Sequence, residues 1–329
     1  MKHLAPAVAL VSALALPVAA QDNSTQPGKP QSVPVFRTGA SLVSLTVSVS
    51  DGKRLVSDLG PEDFAVFEDG VRQRVEFFES KNVPIDLILL IDTSSSMRDK
   101  IAVIREAATG FLKTLRAGDR GAVVAFNDGV NVLQGLTPDR ESLFAAVKNI
   151  EARGGTALNN ALYVAIKQFG QKARQEGDVR RQAIAVLSDG EDTTSVISFD
   201  DVLGLARRSG VSIYTIALKS EFAPDRRLAE NGRKYFSQAD YSMRQLAQET
   251  GAQSFFPSAV QDLKGVYAAI ADELATQYSI GYSPSNARPD GRFRRIVVRL
   301  TTHPEMQPRT RAGYTADAVS AAGLRNRRQ

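Results

Sequence analysis

Four near-continuous apolar runs of strand length constrain this chain most: Ile85–Ile91, Ala122–Phe126, Ala183–Leu187 and Val211–Leu218. A strand with one face in water alternates apolar and polar residues, whereas a run with little interruption belongs to a strand covered on both faces. Between and after the runs, apolar residues recur at helical spacing. The sets are Ile101, Ile104, Ala108, Phe111, Leu112 and Leu115; Leu143, Val147 and Ile150; Leu158, Leu162, Ala165, Ile166 and Phe169; the short segment Val202–Arg208; and Val260, Leu263, Tyr267, Ile270 and Leu274. Strands alternating with helices predict an α/β unit over residues 81–276, with a doubly wound, mostly parallel sheet and helices on both faces.

The flanks follow a different period. Val43, Leu45, Val47 and Val49 alternate with Ser44, Thr46, Ser48 and Ser50, which marks a half-buried strand. Phe64–Phe67 and Val71–Phe78 bracket Glu68-Asp69-Gly70, where Asp-Gly is a hairpin signal. Residues 39–80 therefore predict about four short antiparallel strands. After Thr276 the β pattern returns in Tyr278–Tyr282 and in Ile296, Val298 and Leu300, across the Pro/Gly-rich turn 284–291. An isolated hairpin is marginal in water. Residues 39–80 and 277–316 are accordingly expected to pair into one small antiparallel, sandwich-like β domain, with the α/β unit inserted in it.

Residues 1–20 combine Lys2, the apolar stretch Leu4–Leu16 and the small residues Val18-Ala19-Ala20, the pattern of an export signal cleaved before Gln21. The apolar stretch is shorter than the ~18 residues of a membrane span, so no transmembrane anchor is expected. A periplasmic or secreted protein is. Residues 21–38, rich in Pro, Gln and Ser, read as a flexible linker, and 317–329 as a disordered basic tail. The formal charge is +5, but the basic residues are spread along the chain with no nucleic-acid-binding signature, so no nucleic-acid partner is expected. Cysteine is absent, and His3 and His303 are the only histidines. Thiolate chemistry, sulfur-bound zinc and histidine-rich metal sites are excluded.

Oxygen donors remain, and they cluster at strand ends. Asp92, Ser94 and Ser96 follow Ile91; Gly154-Gly155-Thr156 opens a long helix; Asp189 follows the run ending at Leu187. In a doubly wound sheet the carboxyl ends of the strands form the ligand crevice. Taken singly, each segment reads equally as helix caps or a turn. Together they place two carboxylates and three hydroxyls at one crevice, a set that suits a hard cation such as Mg²⁺.

The pattern Asp92-x-Ser94-x-Ser96, Gly-Gly-Thr156, Ser-Asp189-Gly resembles the metal-ion-dependent adhesion site (MIDAS) of von Willebrand factor type A domains, over about residues 83–276. The flanking segments Leu59–Phe64, Glu68–Gly70, Gln277–Tyr282 and Arg311–Tyr314 resemble secreted acidobacterial proteins related to that family. The resemblance implies a Rossmann-like domain that binds Mg²⁺, or Mn²⁺ or Ca²⁺, directly through Ser94, Ser96 and one further oxygen. It also implies that Asp92, Asp189 and Thr156 exchange direct and water-mediated contacts between states. A carboxylate from a protein partner then replaces a metal-bound water. Asp99 matches one position of the second metal site of integrin β subunits, but Lys100 does not; Asp99 reads instead as a charge in the first helical turn.

The function expected is thus non-enzymatic: an exported, cation-dependent protein-binding module that captures an Asp or Glu of its partner. A Mg²⁺-assisted hydrolase using Asp92 and Asp189 is one alternative, although no G-x-S-x-G elbow, P-loop or G-x-G-x-x-G accompanies it. A periplasmic or surface scaffold in which metal is only structural is another. The polar stretch Lys219–Asp240 leaves the last apolar run at the crevice and carries Arg226, Arg227, Arg233 and Lys234. It is expected to rim the site and to favour an acidic partner.

Overall fold

The computed structural model describes residues 42–316, apart from 53, 81–82, 177–179, 190 and 219–236. The signal and linker segments, the basic residues Arg226, Arg227, Arg233 and Lys234, and the tail from 317 lie outside the described residues.

The apolar runs form the parallel strands of a six-stranded sheet. These are β5 (Ile85–Asp92), β6 (Arg120–Phe126), β8 (Arg181–Ser188) and β9 (Ser212–Ala217). Successive residues of β5 serve opposite cores, which is why the run is almost unbroken. Leu87, Leu89 and Ile91 pack with helices α1 (Ile101–Leu112), α2 (Arg140–Lys148) and α6 (Leu263–Thr276). Ile88 and Leu90 pack with α3 (Leu158–Glu176), α4 (Phe199–Ser209) and α5 (Gln238–Glu249). With β7 (Val130–Thr137) and β10 (Ser254–Phe255) at the edges, the strand order is β10-β9-β8-β5-β6-β7, and β7 alone runs antiparallel.

Two elements depart from the sequence reading. Strand β7 carries no apolar run, and most of it is exposed or half-buried beside β6. Helix α5 begins inside the stretch read as a polar loop ending at Asp240. Its buried residues are Met243, Leu246 and Ala247, so its periodicity is faint, but Ser237 and Asp240 form a capping box at its start.

The flanking strands are β1 (Val43–Ser50), β2 (Phe64–Glu68), β3 (Val71–Gln73), β4 (Val75–Glu79), β11 (Tyr278–Tyr282), β12 (Phe293–Leu300), β13 (Gln307–Arg309) and β14 (Gly313–Thr315). They form two four-stranded antiparallel sheets, β13-β1-β11-β4 and β14-β12-β2-β3, each built from both ends of the chain. Leu45 sits opposite Ile280, and Val66 opposite Val298. One apolar core joins the two sheets, including Leu45, Val47, Phe64, Val66, Tyr278, Ile280, Ile296 and Val298. At the β2–β3 turn Asp69 (φ 48°) and Gly70 (φ 81°) both take left-handed conformations, as a type I′ hairpin requires.

The sandwich joins the amino edge of the parallel sheet. Arg181, the first residue of β8, donates to Ser279 Oγ (3.1 Å) and to the Leu274 carbonyl (3.0 Å). Buried Glu273 of α6 accepts from Ser48 (2.9 Å) in β1, Tyr214 (2.7 Å) in β9 and Arg309 (2.5 Å) in β13. The oxygen-rich segments singled out in the sequence lie at the opposite, carboxyl edge.

Candidate metal centre

Strand β5 carries two buried aspartates with opposite surroundings. Asp86, near its start, is 2% exposed and bonded to two guanidiniums. Arg120 binds it through Nε (2.8 Å) and Nη2 (2.7 Å), and Arg180 through Nε (2.7 Å). Asp92, at its end, is fully buried, and among the described residues no Lys or Arg pairs with it. Its Oδ1 accepts from the Ser94 amide (2.8 Å) and its Oδ2 from the Ser188 hydroxyl (2.6 Å). Burial pushes the Asp92 carboxyl up to about 6, against these hydrogen bonds, and the nearby charge of Asp189 adds to the rise.

The hydroxyls continue from there. Ser94 Oγ and Ser96 Oγ share a 2.9 Å hydrogen bond, and Ser96 Oγ donates to Asp189 Oδ2 at 2.5 Å. Asp189 Oδ1 is buried with no hydrogen-bond partner among the described residues. A buried carboxylate oxygen without a donor is costly, and a cation is one way to satisfy it. Asp92, Ser94, Ser96 and Asp189 are thus brought together.

Thr156, also buried, is held beside them by its backbone. The Ser95 amide donates to the Gly154 carbonyl (3.0 Å), and the Thr156 amide donates to Thr193 Oγ1 (3.0 Å) in the loop after Asp189. That loop also caps α3: Asp192 Oδ2 accepts from the Asn159 amide (2.8 Å), and Ser195 Oγ from the Asn160 amide (3.0 Å). Asp99 is exposed in the 3₁₀ turn Ser95–Lys100 that leads into α1.

The sequence reading missed Asp128, in the turn between β6 and β7. Its Oδ1 accepts from the Gly155 amide at 2.7 Å. The signal available was Asn127-Asp128-Gly129 directly after the apolar run, a turn at the same sheet edge.

Two carboxylates and three hydroxyls suit Mg²⁺, Mn²⁺ or Ca²⁺, which take oxygen ligands. Among the described residues no group of three or more His, Asp or Glu side chains is placed to hold a metal, so serine and threonine hydroxyls would have to complete any such site. The residues present fit a hard cation: the donors are all oxygen, and among the described residues one carboxylate oxygen is buried without a hydrogen-bond partner and neither carboxylate is paired with a Lys or Arg.

Fold and site together define an α/β module with an oxygen-donor cluster at the carboxyl edge of its parallel sheet. The family model described as von Willebrand factor type A domain matches residues 86–268, 183 of the 329 residues, and the chain belongs to that family. Modules of this family generally mediate protein–protein interaction. The chain is 23% identical over 216 residues to a "UPF0353 protein" of Nocardia farcinica, a match covering 59% of this chain and 64% of that protein. It therefore spans less than two thirds of that relative. Among solved structures it resembles a von Willebrand factor type A protein from Catenulispora acidiphila (TM-score 0.47, 18% identity, 72% of this chain and 51% of that one). It also resembles proximal thread matrix protein 1 from the mussel byssus, in a form with a zinc-occupied MIDAS motif (TM-score 0.46, 16% identity, 63% and 49%). No helix among the described residues is long and apolar enough to cross a membrane.

Proposed function

We propose that this chain is an exported, non-enzymatic module that binds a protein partner through a divalent cation, Mg²⁺ or alternatively Mn²⁺ or Ca²⁺. Asp92, Ser94, Ser96, Thr156 and Asp189 would hold the cation. When bound, it supplies a Lewis-acidic position at which a partner's Asp or Glu carboxylate replaces water. The observation that supports this reading is the contrast between the two ends of β5: Asp86 is bonded to two arginines, whereas among the described residues no Lys or Arg pairs with Asp92 and Asp189 Oδ1 has no hydrogen-bond partner. A carboxylate pair in such surroundings at a sheet's ligand edge supports a cation site.

The partner is a protein surface displaying an acidic residue, and the basic residues Arg226, Arg227, Arg233 and Lys234 add to its preference for acidic character. Export rests on residues 1–20, with the mature chain starting at Gln21. A peptide array displaying Asp or Glu in varied contexts tests the binding reading. Retention should need Mg²⁺, vanish with chelator, and vanish for Ser96→Ala or for peptides whose acid is replaced by Ala. Retention indifferent to chelator or to the peptide's acid would contradict it. Expression with the full leader tests export: the protein outside the cytoplasm should begin at Gln21, and an uncleaved cytoplasmic product would count against export.

A further inference from the structure

We infer that Asp128 is a positioning residue for the Thr156 limb of the site, acting through the Gly155 amide rather than as a ligand. The inference rests on the cation-binding reading above. Thr156 ends Gly154-Gly155-Thr156, a stretch outside helix and strand in which Gly154 is exposed with φ +77°. Its neighbours are tied by backbone. The Arg153 amide donates to the Thr93 carbonyl (2.7 Å), and the Ala157 amide to the Asn127 carbonyl (2.7 Å). Between those ties the Gly155 amide is held by a side chain, that of Asp128.

Both glycines make room for that side chain. A Cβ at Gly154 would overlap Asp128 Oδ2, and a Cβ at Gly155 would lie 2.8 Å from Asp128 Oδ1. The positive φ alone explains only Gly154; at Gly155 a Cβ would meet Asp128 together with Thr194 Cγ2 (2.9 Å) and Thr193 Oγ1 (3.1 Å). Asp128 is itself fixed by its turn, in which the Asn127 amide donates to the Gly129 carbonyl (2.9 Å) and the Gly129 amide to Asn127 Oδ1 (3.1 Å). A chain of short contacts therefore runs from the end of β6 to the residue before Thr156.

Positioning needs an acceptor at Oδ1 and not a charge, so Asp128→Asn and Asp128→Ala separate the two. Amide hydrogen exchange at Gly155 is read in the metal-free protein, and Mg²⁺ affinity by calorimetry. Asp128→Ala should speed Gly155 exchange at least tenfold and weaken Mg²⁺ about tenfold, about 1.4 kcal/mol. Asp128→Asn should stay within about threefold of wild type in both. Unchanged exchange in Asp128→Ala overturns the inference. So does Asp128→Asn behaving like Asp128→Ala in Mg²⁺ affinity, which would make the charge the active element. If wild type itself takes up no Mg²⁺, the cation-binding reading fails, and the exchange measurement still decides the role of Asp128.

Discussion

Asp92 is a buried carboxylate whose charge costs the fold stability. Its carboxyl titrates near 6 in the folded metal-free protein, against 3.8 ordinarily, because burial disfavours the charged form. The folded state thus holds the proton more tightly than the unfolded state. The contribution of this group to stability is greatest below about pH 4, is lost as pH rises to about 6, and is flat above that. The shift corresponds to a penalty on the order of 3 kcal/mol at neutral pH. Asp92→Asn removes the charge and keeps an acceptor, so the metal-free variant should be more stable than wild type at pH 7 by about 1–2 kcal/mol. It should also lose any stabilisation by Mg²⁺. Urea unfolding with and without Mg²⁺ checks both, and a destabilised metal-free variant would show that the buried Asp92 charge does not cost the fold stability. In wild type, Mg²⁺ affinity should rise between about pH 5 and pH 7 as Asp92 gives up its proton, which calorimetry at the two pH values reads directly.

Elements were legible where burial was two-sided and obscure where it was partial. The strands of the parallel sheet announce themselves because both faces of β5 and β8 are core. Helix α5 buries a narrow stripe, and the sign that could have found it was the Ser237-x-x-Asp240 box rather than periodicity. Ser237 Oγ accepts from the Asp240 amide (3.1 Å) and Asp240 Oδ2 from the Ser237 amide (3.0 Å). Ser237→Ala should therefore cost about 1 kcal/mol, seen as a lower urea midpoint at unchanged slope; an unchanged midpoint would mean the cap contributes nothing. Strand β7 has a weak pattern because it is an edge strand with irregular register against β6, so neither face demands alternation. At the site, Asp92, Ser94 and Ser96 are legible because their close spacing after a strand end forms a pattern of hard oxygen donors. Asp128 follows the end of β6 just as closely, but a lone Asp in an Asn-Asp-Gly turn reads as turn chemistry, and its role depends on a contact 27 residues away in the chain.

At the scale of the whole molecule the two edges of the parallel sheet do different work. The amino edge is closed by paired charges and by the sandwich, through Asp86 with Arg120 and Arg180, and through Glu273 with Ser48, Tyr214 and Arg309. The carboxyl edge gathers carboxylates and hydroxyls that, among the described residues, are not paired with cationic side chains. Removing Glu273 strips the acceptor from two donors across the seam, Ser48 and Arg309, and from Tyr214 of β9 on its own side, so Glu273→Ala should destabilise by about 3 kcal/mol or more, and Glu273→Gln by less. Equal stability in a thermal melt would show that Glu273 contributes nothing to the joint between the sandwich and the α/β unit. A cation site at the carboxyl edge is decided by a calorimetric titration of Mg²⁺ into the chain from Gln21 onward, with Asp92→Ala alongside. One equivalent bound by wild type and none by the variant is the expected result; equal binding by both, or none by wild type, would contradict it.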